Sequence, residues 1–206
     1  EKVIRFPALL DELIDPSLGR QIPDHEQFSQ SVRRILGAAQ GTEAVLEGLN
    51  YLKLATELRV AVSQLKGNLS GEEAQQSLTE LASALLDGVL DIASSEIESR
   101  HGKFLKEDML AIIGYGSLGA FELGYDSDLD IVFLFESGPD PSDGPRPLPP
   151  ERYFARLAQR VLSFLTVMTP SGRLYEVDTR LRPNGRAGSL VRSIDAFLEY
   201  QMMQAW

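Results

Sequence analysis

The feature that most constrains this chain is a change of texture at Met109. Upstream, apolar residues recur every three or four positions; downstream, short apolar runs stop at glycines and turns. Met109-Leu110-Ala111-Ile112-Ile113 reads as a buried strand that ends at Gly114. Residues 128–135 (Asp-Leu-Asp-Ile-Val-Phe-Leu-Phe) read as a second strand, rich in β-branched and aromatic side chains. Leu174 to Leu181 alternates like a third, closed by a turn at Arg182-Pro183-Asn184-Gly185. Helical spacing covers 26–36, 42–66, 70–100 and 151–169, and Ser70 with Glu73 forms a capping box. Ser193 is placed to cap a last helix running into Trp206, and residues 137–150 are a Pro/Gly/Ser/Asp-rich loop. A helical half followed by strands interleaved with helices predicts an α+β fold, with a helical region over 1–104 and a mixed-sheet core with flanking helices over 105–206.

Composition removes whole classes of function. The 206 residues hold 20 basic and 30 acidic side chains, a formal net charge of −10. Such a balance is poorly suited to gripping a phosphate backbone over many base pairs, so nucleic acid is not an expected partner. Cysteine is absent, which excludes disulfides, thiol catalysis and cysteine-held zinc or iron–sulfur clusters. Two histidines, His25 and His101, do not make a histidine-rich metal site. No apolar run approaches the ~20 residues of a membrane helix, and a reducing cytoplasm is the expected setting. Starting at Glu1 rather than Met, the chain reads as part of something longer.

Two motifs compete for the same glycines. Gly114, Gly116 and Gly119 match the G-x-G-x-x-G dinucleotide fingerprint, but only about two helical turns fit before Gly124-Tyr125. The acids Asp128 and Asp130 open the next strand instead of closing it, which is the wrong place for a ribose ligand. The better reading is Gly116-Ser117, a spacer, then Asp128-Leu129-Asp130. Gly116 lets backbone approach an anion, and the amides at Ser117 begin a helix that favours phosphate. Two residues apart in a strand, Asp128 and Asp130 share one face, where they repel unless a hard divalent cation lies between them. Leu129, Ile131, Phe133 and Phe135 anchor the opposite face.

A third carboxylate completes a two-metal arrangement. In the segment Leu174 to Leu181 the alternation puts Glu176, Asp178 and Arg180 on one face. Asp178 is the choice, to ligate a metal or take the proton of an attacking hydroxyl; Glu176 is the reserve. Between Glu151 and Arg192 there are eight arginines against three acids. Arg180, Arg182 and Arg186 lie beside the third carboxylate, where guanidinium groups can hold a triphosphate; Arg152, Arg156 and Arg160 read as a solvated helix face.

Gly116-Ser117 with Asp128 and Asp130 resembles the nucleotidyltransferase superfamily typified by DNA polymerase β. The longer strings Gly114 to Asp130 and Leu174 to Gly188 are similar to the glutamine synthetase adenylyltransferase (adenylyl-removing) family. The resemblance covers roughly residues 100–206. It implies catalytic and metal-binding roles for Asp128, Asp130 and Asp178, nucleotide binding at Gly116, Ser117, Arg180 and Arg182, and two Mg²⁺ ions with ATP as substrate. It also implies AMP transfer to a tyrosine of glutamine synthetase, with a PII-type signal protein as a further partner through a longer enzyme. Tyr175-Glu-Val-Asp178 before Arg180-Leu-Arg-Pro183, and Tyr200-Gln ahead of Ala205-Trp206, are more like the attaching, C-terminal head than the removing one. Many relatives are expected to carry lysine where Ser117 stands, and a further helical region is expected beyond Trp206. The alternatives are the phosphorolytic removing head, or a regulatory fragment that binds nucleotide without turnover.

Overall fold

The computed structural model describes residues 23–104, 109–136, 138 and 140–203, apart from the side chains of Met109 and Arg186. Two compact units share the chain, and the division falls inside one long helix between Gly88 and Val89. To the first belong the described residues up to Gly88 together with 121–127 and 168–174; to the second belong the described residues of 89–120, 128–167 and from 175 on. Among the described residues no helix is long and apolar enough to cross a membrane.

The first unit is built from helices α1 (His25–Ala38), α2 (Thr42–Leu65) and the leading part of α3 (Gly71–His101). Each start is chemically marked. Asp24 caps α1 through Gln27 N–H (2.9 Å) and receives the Gln27 side chain on its own N–H in return, a capping box that the expected start at residue 26 did not include. Ser70 and Glu73 make the same reciprocal pair at α3, at 3.2 and 2.8 Å. Phe28 and Val32 of α1 are buried, and Val32 and Ile35 lie where a Cβ on Gly88 or Gly48 would stand, 2.3 and 2.7 Å away. Bare backbone at those two glycines lets α1 lie close against α2 and α3. The leucines of the sequence stripes, Leu46, Leu49, Leu54, Leu78, Leu81 and Leu85, are core.

The second unit is a small mixed sheet with helices. β1 (Met109–Gly114) pairs antiparallel with β2 (Leu129–Glu136), Gly114 opposite Ile131 and Leu110 opposite Phe135. β3 (Val177–Asp178) and β4 (Val191–Ser193) both run parallel to β2. Among the described residues the α-helices of the unit are the end of α3, the single turn α4 (Gly116–Gly119), α5 (Pro150–Thr166) and α6 (Ile194–Met203), with a short 3-10 turn at Gly185–Ala187. The α+β expectation holds. β2 is buried on both faces from Ile131 to Phe135, because Val132 and Leu134 are covered as well as Ile131, Phe133 and Phe135. α5 presents Tyr153, Phe154, Leu157, Val161, Phe164 and Leu165 to the interior, and its Phe154 stacks on Phe135 at 5.0 Å between ring centres.

Several expectations are corrected. The third strand is two residues long rather than eight: ahead of it Tyr175 N–H donates to the Leu165 carbonyl at the end of α5 instead of to β2, and after it the backbone turns, with Arg180 N–H donating to Asp178 Oδ1 at 2.7 Å and Arg182 N–H to the Thr179 carbonyl. β4 lacked any sequence signal, its three residues being too few to show a period. Helix α5 ends at Thr166, not 169, and α4 is one turn where two were expected. The loop between β2 and α5 is pinned where it is described. Asp143 N–H donates to the Lys103 carbonyl, Gly144 N–H to His101 and Lys103 N–H to Asp143 Oδ1, while Ser142 is buried. Ser193 does cap α6, through Ala196 N–H at 3.3 Å; residues 204–206 and the side chain of Arg186 lie outside the described part.

Candidate active site

The site grows from the junction of β1, α4 and β2. Antiparallel pairing carries β1 to Gly114, and Tyr115 N–H then donates to the Asp130 carbonyl at 2.8 Å. That bond leaves Gly116 directly beside the Asp130 side chain. Gly116 has φ +54°, and a Cβ there would meet Asp130 Oδ2 at 2.4 Å. Both the backbone conformation and the space require glycine. Gly119 closes the turn by lying over the Gly114 carbonyl, which a Cβ would meet at 2.6 Å. Packing within the turn therefore accounts for the glycine spacing. The antiparallel β1–β2 pair rules out the dinucleotide reading, which needs a parallel β-α-β unit. A single turn also carries no helix dipole of consequence; what α4 offers an anion is unobstructed backbone at Gly116 and the half-buried Ser117.

On the other side, β3 brings in Asp178. In the parallel register Asp130 stands opposite Asp178 and Leu129 opposite Val177, with Leu129 N–H donating to the Glu176 carbonyl at 2.9 Å. Asp128 precedes β2 and is exposed; Glu176 is exposed too, and its backbone carbonyl joins the ladder. Burial pushes the Asp130 carboxyl above the usual carboxylate range, the neighbouring charges of Asp178 and Asp128 push it further, and Arg180 opposes them. Three carboxylates thus share one electrostatic neighbourhood.

Arg180 and Arg182 take different parts. Arg180 Nε donates to Asp178 Oδ2 at 2.6 Å, its Nη2 pairs with the same oxygen, and this raises the guanidinium above its ordinary basicity. Arg182 turns back on its own loop: Nη1 donates to the Thr179 carbonyl (2.6 Å) and to Thr179 Oγ1 (2.7 Å), and Nε reaches the Gly188 carbonyl at 3.4 Å. The sequence reading did not single out Thr179 as its partner. On the helix face, Arg156 meets His101 and Arg160 pairs with Glu96, so neither is merely solvated.

The donor set fits a hard divalent cation in kind: all oxygens, two of the carboxylates in strand register, with glycine leaving one side open. Among the described residues no three such side chains already converge closely enough to hold an ion, and Asp178 is turned to Arg180. Asp128, Asp130 and Asp178 would be the ligands.

The whole chain, residues 1–206, matches the family model for glutamate-ammonia ligase adenylyltransferase. It is 43 % identical over 208 residues to the bifunctional glutamine synthetase adenylyltransferase/adenylyl-removing enzyme of Stenotrophomonas maltophilia (strain R551-3), and 43 % to that of Xanthomonas oryzae pv. oryzae (strain MAFF 311018). The Pseudomonas aeruginosa protein of the same name is 40 % identical over 215 residues. Each match takes in all of this chain and 22 % of the relative, so the chain spans about a fifth of the length of those proteins. With the glycine turn and the paired aspartates of its mixed sheet, the chain belongs to the glutamate-ammonia ligase adenylyltransferase family.

Proposed function

We propose that this chain carries a nucleotidyltransferase site that moves AMP from ATP to a tyrosine of glutamine synthetase, with Mg²⁺ as cofactor. The observation that carries the reading is Asp130 opposite Asp178 in β-register, beside a glycine whose missing side chain opens the space at Asp130. The relatives' names contain both the attaching and the removing activity; the attaching one is preferred here for the Tyr175-Glu-Val-Asp178 form of the β3 segment.

In this mechanism Asp128, Asp130 and Asp178 would hold two Mg²⁺ ions, which when bound supply neutralising charge to the phosphates and make the tyrosine hydroxyl easier to ionise. The bare backbone of Gly116 admits the phosphate chain close to Asp130, and Ser117 offers its hydroxyl as a donor. A phenol with a pKa near 10 must lose its proton to attack, and Asp178 is the carboxylate that would take it. Arg180 would hold phosphate oxygens as a two-pronged donor. Arg182 supports the turn after Asp178 through Thr179 and Gly188. A PII-type signal protein would act through the longer enzyme, and a cytoplasmic setting goes with an ATP-using chain that has no cysteine.

Calorimetric titration with ATP, with and without Mg²⁺, tests the reading. Metal-dependent ATP binding that fails in Asp130→Asn is expected. Binding of NAD in preference, or ATP binding indifferent to both metal and variant, would overturn it. If adenylylated glutamine synthetase and inorganic phosphate react while ATP and the unmodified protein do not, the removing head replaces the attaching one.

A further inference from the structure

We propose that Arg180 is a stand-in cation for the carboxylate site: its guanidinium occupies Asp178 when no divalent ion is bound, and the ion displaces it. This rests on the reading of Asp130 and Asp178 as metal ligands and concerns what holds that site together before the metal arrives.

The two oxygens of Asp178 have separate partners. Oδ1 accepts the backbone N–H of Arg180 at 2.7 Å, while Oδ2 takes the side chain, through Nε at 2.6 Å and through Nη2. Backbone and side chain of one arginine therefore do different work. The backbone bond aims the carboxylate and does not depend on the guanidinium; the guanidinium supplies charge and can leave. Exposure agrees with that division. The Arg180 side chain is 62 % exposed and that of Asp178 only 18 %, so the arginine is the solvated partner and the aspartate the fixed one. β3 fixes it further, setting Asp178 opposite Asp130 in the ladder.

A positive charge is needed there. Asp130 lies across from Asp178 with Asp128 nearby, and like charges so close in a half-buried site destabilise one another. A largely solvated ion pair contributes little net free energy, so it gives way to a divalent ion that two carboxylates can share. Displaced, the guanidinium remains two residues from Asp178 and is free to donate to phosphate oxygens. Arg180 then has two successive partners, a carboxylate before the metal binds and an anion after, and the exchange couples metal loading to phosphate binding.

The test uses Mn²⁺ alone, without nucleotide, titrated into the whole chain and followed by the electron paramagnetic resonance signal of the free ion. Competition by a solvated pair predicts that Arg180→Gln binds Mn²⁺ about two- to fivefold more tightly than the natural chain. Arg180→Lys, which keeps the charge without the fork, should fall between them. Asp178→Asn and Asp130→Asn should lose the binding. In parallel, the Nε–H resonance of Arg180, held by Asp178 in metal-free protein, should lose its protection from exchange when Mg²⁺ is added. Equal or weaker Mn²⁺ binding by Arg180→Gln, with binding still abolished in Asp178→Asn, would overturn the stand-in role and leave the metal site standing. Mn²⁺ binding that is the same in Asp130→Asn, Asp178→Asn and the natural chain would overturn the metal site itself.

Discussion

Asp178 lies opposite Asp130 in the parallel pairing of β2 with β3, so two strands distant in sequence deliver their carboxylates to one place. A β-ladder fixes backbone far more tightly than a loop, which is why a two-residue strand is enough. The energetic consequence is that burial and the neighbouring carboxylates disfavour the ionised form of Asp130, and Arg180 opposes them. The predictions below test that arrangement and the fold around it.

Gly116→Ala should be costly twice over, in stability and in activity. The new methyl meets Asp130 Oδ2 at 2.4 Å in a backbone conformation that disfavours side chains. A loss of about 1–3 kcal/mol in urea unfolding is expected, with AMP transfer reduced to background. Gly37→Ala is the contrast: it stands inside α1 with open space around its Cβ position, and a gain of about 0.5–1 kcal/mol is expected. Equal effects at the two positions would contradict the packing described at Gly116.

Arg182 separates a structural role from a ligand role. Its bonds to Thr179 and Gly188 hold the turn that follows Asp178, so Arg182→Ala should lower stability by about 1.5–3 kcal/mol even without nucleotide. A variant with unchanged thermal stability and only an elevated KM for ATP would instead make Arg182 a phosphate ligand.

Tyr153 carries a pH signature. Burial first, then Glu98 and Asp143, push its phenol up to about 12, and its hydroxyl donates to the Gly102 carbonyl at 3.2 Å. A folded-state pKa above the unfolded one means stability is fully present below about pH 10 and is lost as pH rises through 12. Ultraviolet difference titration of the natural chain against Tyr153→Phe should isolate one phenol ionising near 12. A difference spectrum centred near 10 would contradict the burial.

The start of α3 gives an acid-side counterpart. Ser70 holds the Glu73 carboxylate below its ordinary pKa through its backbone N–H and its hydroxyl. The stabilisation is present above the unfolded carboxylate value and is lost as pH falls through the folded one. Ser70→Ala should cost about 0.5–2 kcal/mol at neutral pH. Glu73→Ala, which removes the carboxylate that the Ser70 N–H holds, should fall short of the natural chain at neutral pH and approach it in acid; a difference independent of pH would mean that this bond does not form.

Much of this was legible in the sequence because the informative residues are local. The capping box at Ser70, the leucine stripes, the apolar runs of β1 and β2, and the glycine spacing before Asp128 each act within a few residues of chain. What could not be read depends on partners far away or on too few residues. Eight alternating positions from Leu174 to Leu181 looked like a strand, but Tyr175 N–H goes to the Leu165 carbonyl before it and Asp178 captures the N–H of Arg180 after it, leaving two residues in the ladder. Arg182 had the composition of a phosphate ligand, and only the folded turn shows its donors going to Thr179 and Gly188. Likewise a loop rich in Pro, Gly and Ser gives no sign in sequence that Asp143 and Gly144 will bond to Lys103 and His101.

The most direct measurement is the intact mass of unmodified glutamine synthetase after incubation with this protein and Mg·ATP. The account predicts one added AMP per modified subunit, on a tyrosine, and no addition with Asp130→Asn. An addition undiminished in Asp130→Asn, or no addition by the natural protein, would contradict the claim that Asp130 and Asp178 form the site of AMP transfer.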